Sequence, residues 1–227
     1  MNTPKGQEVQ ILVEELMDCY KFDIAHHICD VRKGSQKLND FIELNPNGKI
    51  PVLIDNNQTA INTQSAPFCV MESGAISQYL CSRIDQNNNF RFADCTQSSE
   101  MEQWISWGLS HLGILVEECI HFARYASTRD TYSIEYYQNQ ILEAFDELEQ
   151  HLAQRASIVA RSYIAGLGSG KYSLADMAIW PWINVSHLCG FDEGVLNRFP
   201  HIRSWMKCVG SRPAVIAGCS SKYEITG

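Results

Sequence analysis

No Cys-x-x-Cys pair occurs in this 227-residue chain, although it carries nine cysteines. A dithiol redox motif is therefore excluded, and an odd number of widely spaced cysteines does not make a disulfide framework. They read as small buried hydrophobes of a protein from a reducing compartment. Positive charge is scarce as well: 18 Lys and Arg stand against 26 Asp and Glu, a formal net charge of -8. That balance argues against a nucleic-acid partner, because phosphate binding needs clustered Lys and Arg. Long apolar runs are missing, so no segment reaches membrane-spanning length, and the polar residues 1–8 lack the form of a signal peptide. The expectation is a cytoplasmic protein with no membrane partner. Metal-ligand spacings are absent too. His26 and His27 are adjacent, and an extended strand points neighbours to opposite faces. His111 and His121 lie ten residues apart on one helix, too far to share an ion. No metal and no internal repeat are expected.

The length suffices for one large domain or two small ones that bury about 70% of the unfolded surface. Residues 6–20 carry Val9, Leu12, Val13 and Leu16 at helical spacing, with Glu14, Glu15 and Asp18 mostly elsewhere on the wheel. Phe22, Ile24, His26 and Ile28 alternate with polar or small residues, as in a half-buried strand. Residues 38–44 form a short helix that ends before Asn45-Pro46. Strands are expected at 50–55 and 68–71, with a polar loop or wide hairpin at 56–67 between them, and a helix at 74–84. A linker follows, and everything after it reads helical. Residues 100–125 carry Trp104, Trp107, Leu112, Ile114 and Leu115 on apolar positions, and 132–154 set Ile141, Phe145, Leu148 and Leu152 against an acidic face. Ser173-Leu174-Ala175-Asp176 is a capping box opening a helix over 173–189, with Tyr172 and Met177 at the staple positions.

One stretch organises the first half: Asn45-Pro46-Asn47-Gly48-Lys49-Ile50-Pro51-Val52-Leu53, completed by Glu72-Ser73-Gly74-Ala75-Ile76. Asn-Pro-Asn-Gly is turn chemistry, since Pro fixes φ while Asn and Gly tolerate positive φ. Pro51 cannot donate to a ladder, so it opens a strand, and a cis bond suits it there. The backbone of Ile50 is then free to pair with an extended peptide as with another strand. Glu72 and Ser73 stand where a strand gives way to a helix, whose unpaired N–H groups favour a carboxylate while Glu72 accepts from an ammonium.

These motifs resemble the glutathione-binding site of glutathione transferases, in detail the bacterial nu class and the fungal nitrogen-regulator branch. Met177-Ala178-Ile179-Trp180-Pro181-Trp182 and Val209-Gly210-Ser211-Arg212-Pro213-Ala214 are similar to the helical domain of that class, so the resemblance covers nearly the whole chain. It implies an α/β plus all-α protein: a thioredoxin-like glutathione-binding domain at 1–84, a linker at 85–97 and an all-helical domain at 98–227. It also implies a homodimer. In the family an interior strand precedes the first helix, and this chain begins at the loop that strand would feed. The expectation is a start placed downstream of that strand rather than a degenerate protein.

For chemistry, the resemblance implies glutathione as co-substrate. At the position where thioredoxins carry Cys-x-x-Cys, this chain reads Thr3-Pro4-Lys5-Gly6, so the thiol must be borrowed. Held at the N-terminus of the first helix, beside Thr3 and Lys5 as the catalytic pair, the sulfur would be favoured as thiolate and attack an electrophile or a disulfide. Ile50 and Pro51 would take the cysteinyl backbone, Glu72 and Ser73 the γ-glutamyl end, and Gln36 and Lys49 the glycyl end. Two positions depart from the family. Its Thr-Pro-Asn-Gly has Asn where this chain has Lys5, and its Tyr-x-Ile-Glu-Arg-Tyr has Arg where this chain has Tyr136. Tyr136, Trp107 and His111 are the candidates for a pocket holding a second glutathione or the electrophile. The rival reading is a non-catalytic binding or regulatory protein on the same fold.

Overall fold

Thr3 opens the first helix in the way its side chain allows: Oγ1 accepts from the Gly6 N–H at 3.2 Å, and Pro4 occupies the first helical position, where no N–H is needed. The structure is a computed structural model that describes residues 3–59, 67–154, 160–192 and 194–224. In chain order its elements are α1 (Pro4–Cys19), α2 (Asn39–Leu44), β1 (Val52–Thr59), β2 (Pro67–Met71), α3 (Ser73–Ile84), α4 (Cys95–Trp107), α5 (Gly113–Ile120), α6 (Thr131–Ala153), α7 (Leu174–Val185), α8 (Pro200–Gly210) and α9 (Pro213–Gly218). The π-helical turns Gly108–Leu112 and His121–Tyr125 continue α4 and α5 without a break. The chain divides into two compact units, Met1–Asn87 with Pro213–Gly227, and Asn88–Arg212.

In the first unit α1 packs on α3 and α9 through Ile11, Leu12 and Leu16, all 0% exposed. Its buried face is wider than the apolar spacing predicts, because Gln7, Glu8, Gln10 and Glu15 are buried with it. β1 and β2 form an antiparallel pair in which Val52 faces Met71 and Asp55 faces Phe68. The expected loop or hairpin at 56–67 is strand through Thr59 and again from Pro67, and residues 60–66 lie outside the described ones. Tyr79 donates to Asp55 at 2.8 Å and Tyr20 to Asp85 at 2.8 Å, tying β1 to α3 and the end of α1 to the end of α3. Residues 213–224, expected in the helical domain, pack in this unit. Lys222 reaches Glu14 at 2.6 Å, and Tyr223 also donates to Glu14.

The strand expected at Phe22–Ile28 is not one: residues 21–30 enter no ladder. Alternation reports two faces of an extended chain, but a strand also needs a neighbour's N–H and C=O groups. Among the described residues β1 is bonded on one side only, to β2. A groove of about 990 Å³ is lined by residues 22–29, residues 50–57 at and around β1, and Val9, Val13, Ile76 and Leu80 of α1 and α3.

The second unit is helical and is built on α7. All residues from Leu174 to Ile183 are buried. α4, α5 and α8 pack on α7, α8 bringing the buried Ile202, Trp205 and Val209, while the α6 stripe Ile141, Ala144, Phe145, Leu148 and Leu152, each 0% exposed, belongs to a helix that packs on α5 and α8. α4 starts at Cys95, five residues before the expected Glu100, because Asp94 caps it by accepting from Thr96 N and Gln97 N. The capping box forms as expected: Asp176 accepts from the Ser173 N–H at 2.9 Å. Among the described residues no helix is long and apolar enough to cross a membrane.

Candidate functional site

The turn at Asn45 is built by its own side chain. Asn45, 1% exposed, accepts from Asn47 N at 3.0 Å and donates from Nδ2 to the Lys49 carbonyl at 2.6 Å. Gly48 closes the turn with φ 58°, the left-handed region that glycine enters at no steric cost. The chain leaves it through a cis Ile50–Pro51 bond. Asn47 Nδ2 then donates to Glu72 Oε1 at 3.3 Å, joining the turn to the start of α3.

Glu72 stands between β2 and α3 with φ 69° and ψ 122°. A non-glycine residue in that region is strained by about 1–3 kcal/mol, and such strain gathers at ligand sites. Its side chain does not cap α3. The first-turn N–H groups of α3, from Ser73 to Ala75, thus have no intrahelical acceptor, which makes this end attractive to an anion.

A pocket of about 90 Å³ lies here, lined by Lys5, Asn45, Asn47, Lys49, Ile50, Pro51, Glu72 and Ser73. Six of the residues singled out in the sequence are thereby brought together: Lys5, Lys49, Ile50, Pro51, Glu72 and Ser73. The others are elsewhere. Thr3 is the α1 cap and does not line the pocket. Gln36 bonds from Nε2 to the Val31 carbonyl at 3.5 Å, and its backbone lies behind the Gly48 turn. Trp107, His111 and Tyr136 belong to the second unit. There Trp107 donates to Glu147 at 2.9 Å and its ring lies 5.9 Å from that of His111. Tyr136, 50% exposed, stacks on Tyr132 and meets Tyr137 edge-on. Among the described residues no ring contact joins the two clusters.

Two features of the site were not anticipated. Asn45 and Asn47 line the pocket as well as shaping the turn. Behind Ser73 lies Glu8 of α1, 1% exposed, whose Oε1 accepts from Ser77 Oγ at 3.2 Å while the buried Oε2 has no hydrogen-bond partner. Burial pushes its pKa up to about 7, against the opposing pull of Ser73, Ser77 and Lys5, which favour the charged form. No cysteine lines the pocket. Cys19 is exposed at the end of α1, and burial raises the Cys29 thiol above its ordinary range.

Residues 6–82 match the glutathione S-transferase N-terminal domain, and residues 121–208 match the C-terminal domain. The chain is similar to the disulfide-bond oxidoreductase YghU of Escherichia coli (strain K12), with 32% identity over 224 residues that cover 96% of this chain and 72% of that protein. It is similar to a glutathione transferase of Burkholderia graminis whose crystal structure holds two glutathione molecules per subunit, with 28% identity and a TM-score of 0.81 over 99% of this chain and 87% of that one. It is also similar to the nitrogen regulation fragment of the yeast prion protein Ure2p, with 25% identity and a TM-score of 0.80 over 96% of this chain and 92% of that one.

Proposed function

The chain belongs to the glutathione S-transferase family, and from that premise we propose that the pocket between the Asn45 turn and α3 grips the γ-glutamyl end of glutathione so that its thiolate acts as a nucleophile. One observation carries the reading: an acceptor for an ammonium, an uncapped helix N-terminus with a serine, and two lysines line one small pocket. Glu72 would take the ammonium and Ser73 with the α3 N–H groups the α-carboxylate. The pocket is sized for that end alone. The rest of the tripeptide would run along Ile50, pairing with its backbone, toward Lys49 and Gln36 at the glycyl carboxylate. The sulfur would lie at the N-terminus of α1 by Thr3 and Lys5, where helix field and charge lower a thiol pKa.

The bound thiolate would attack an electrophilic carbon, forming a C–S bond as the leaving group departs with its electron pair. Alternatively it would attack a disulfide sulfur, forming a mixed disulfide and expelling a thiolate, and a second glutathione would then release the remaining thiol and form glutathione disulfide. Trp107, His111 and Tyr136 remain our candidates for the wall that receives the second reactant, in a homodimer.

Calorimetry with glutathione tests the placement. Glu72→Ala is expected to weaken binding about tenfold, the lower end for loss of a charge-assisted hydrogen bond at an exposed residue; unchanged affinity would remove Glu72 from the site. Because the thiol is borrowed, Cys19→Ser with Cys29→Ser is expected to leave glutathione-dependent reduction of a small disulfide at the wild-type rate. Loss of turnover in a folded double variant would instead give the reaction to a protein cysteine. A second reading, a non-catalytic glutathione-binding protein, is favoured by the engagement of Thr3 as a helix cap outside the pocket lining, which leaves Lys5 as the α1 side chain in the pocket. Binding without turnover on either substrate class would select it.

A further inference from the structure

Glu8 is placed where a ligand carboxylate would meet it. The residue sits in the second turn of α1, its buried carboxyl accepts from Ser77 of α3 at 3.2 Å and is acted on by the Ser73 hydroxyl, and Ser73 is also a wall of the pocket. A hydroxyl has one proton to donate. When Glu8 is ionised, its unpartnered Oε2 competes for the proton of Ser73. When Glu8 is neutral, its own proton is available to Ser73 Oγ, and the Ser73 proton is free for a ligand.

We propose that Glu8 is a proton-linked positioning residue: binding of an α-carboxylate at Ser73 draws a proton from solvent onto Glu8, which releases the Ser73 hydroxyl to the ligand and removes the like charge behind it. This deepens the glutathione reading and rests on it.

The groups around the carboxyl support the direction. From α3 the Ser77 hydroxyl donates to it at 3.2 Å and the Ser73 hydroxyl also favours its charged form. From its own helix Lys5 acts on it, favouring the charged form, and α9, packed on the same helix, has no titratable side chain. Glu72 lies on the far side of Ser73 and is held by Asn47. Nothing cationic besides Lys5 therefore acts on Glu8 among the described residues. An arriving carboxylate raises the proton affinity of a neighbouring acid, and a group poised near neutrality converts that into measurable uptake. The histidines of this unit, His26 and His27, line the larger groove and not this pocket.

The test uses S-methylglutathione, which has no thiol proton to complicate the count. Titration calorimetry at pH 7 in phosphate and in Tris, buffers of different ionisation enthalpy, gives the protons taken up on binding. The wild-type chain is expected to take up about half a proton, and its affinity is expected to fall about tenfold from pH 6 to pH 8. In Glu8→Gln the uptake is expected to vanish and the affinity to be flat over that range. Ser77→Ala removes a hydrogen bond that favours the charged form, so it should move the midpoint of the pH dependence upward even if Glu8→Gln does not fold. Binding by the wild-type chain without uptake overturns the proposal and leaves the glutathione reading intact. Uptake that persists in folded Glu8→Gln also overturns the proposal alone. Absence of any binding heat from pH 6 to pH 8 overturns the site reading and this proposal with it.

Discussion

Replacing Asp176 by alanine is expected to cost the second unit about 3–5 kcal/mol. The carboxylate is 0% exposed and accepts from Ile164 N at 3.0 Å, Trp205 Nε1 at 2.8 Å and Ser173 N at 2.9 Å. Alanine leaves three buried donors without acceptors, each costing about 1–3 kcal/mol. Relief from burying a charge works in the opposite direction but is smaller. Burial raises the Asp176 pKa to about 6 from 3.8, which amounts to about 2 kcal/mol lost between pH 4 and pH 7. The sign follows from the direction. A carboxyl whose folded pKa is raised adds stability that is fully present below its unfolded pKa and lost as pH rises through the folded one. Wild type should therefore lose ground to Asp176→Asn across pH 4–7, although the asparagine amide, a donor, faces the Ser173 N–H and costs stability at every pH. All five tryptophans fall within the second unit, so urea unfolding followed by tryptophan fluorescence reports on it. A loss below 1 kcal/mol in Asp176→Ala would show that the three donors find other partners.

The capping box was legible because both of its partners lie three residues apart, and a tetrapeptide states the whole interaction. The indole of Trp205, 29 residues further on, and the Ile164 N–H, 12 residues back, make Asp176 a hub, and no local pattern announces them. The same division runs through the candidate site. Asn45 to Pro51 could be read because turn chemistry is local, whereas the Asn47 to Glu72 bond spans 25 residues and depends on where β2 ends. Glu8 left a trace that was readable in principle, since it stands four and eight residues before Leu12 and Leu16 on the face that α3 covers. An acid there signals a buried carboxyl only once Ser77 is known to meet it. The alternation at 22–28 did not make a strand, because pairing is a property of two segments, and among the described residues β1 pairs with β2 alone. Helical content in the second unit was legible because stripes such as Ile141, Phe145, Leu148 and Leu152 persist over several turns. α9 has six residues, too few for a period, and its destination on α1 lies some 200 positions away in the chain.

That docking of α9 yields the second large effect: Gly218→Val is expected to cost the first unit about 3 kcal/mol. A Cβ at Gly218 would stand 2.8 Å from Ile11 N and 2.9 Å from both Ile11 Cα and Ile11 Cγ1, so two of the three atoms in the way are backbone of α1, which cannot turn aside as a side chain can. Helix propensity works the other way, since valine is a better helix former than glycine, but by only a few tenths of a kcal/mol. Overlap with a fixed backbone outweighs it, and the two helices must separate. Gly34→Ala is the control in the same unit. Gly34 has φ 73° and nothing within 4 Å of a built Cβ, so its cost is the left-handed backbone alone, about 1 kcal/mol. Hydrogen exchange of the α1 amides reads the difference, because exchange through local opening follows the free energy that holds the helix down. Protection of residues near Ile11 should fall about a hundredfold in Gly218→Val and much less in Gly34→Ala. Equal protection in the two variants would mean that α9 does not clamp α1. With the clamp in place, the helix that carries Thr3, Lys5 and Glu8 is fixed from behind by the C-terminal segment, and a change at Gly218 should weaken glutathione binding without touching the pocket.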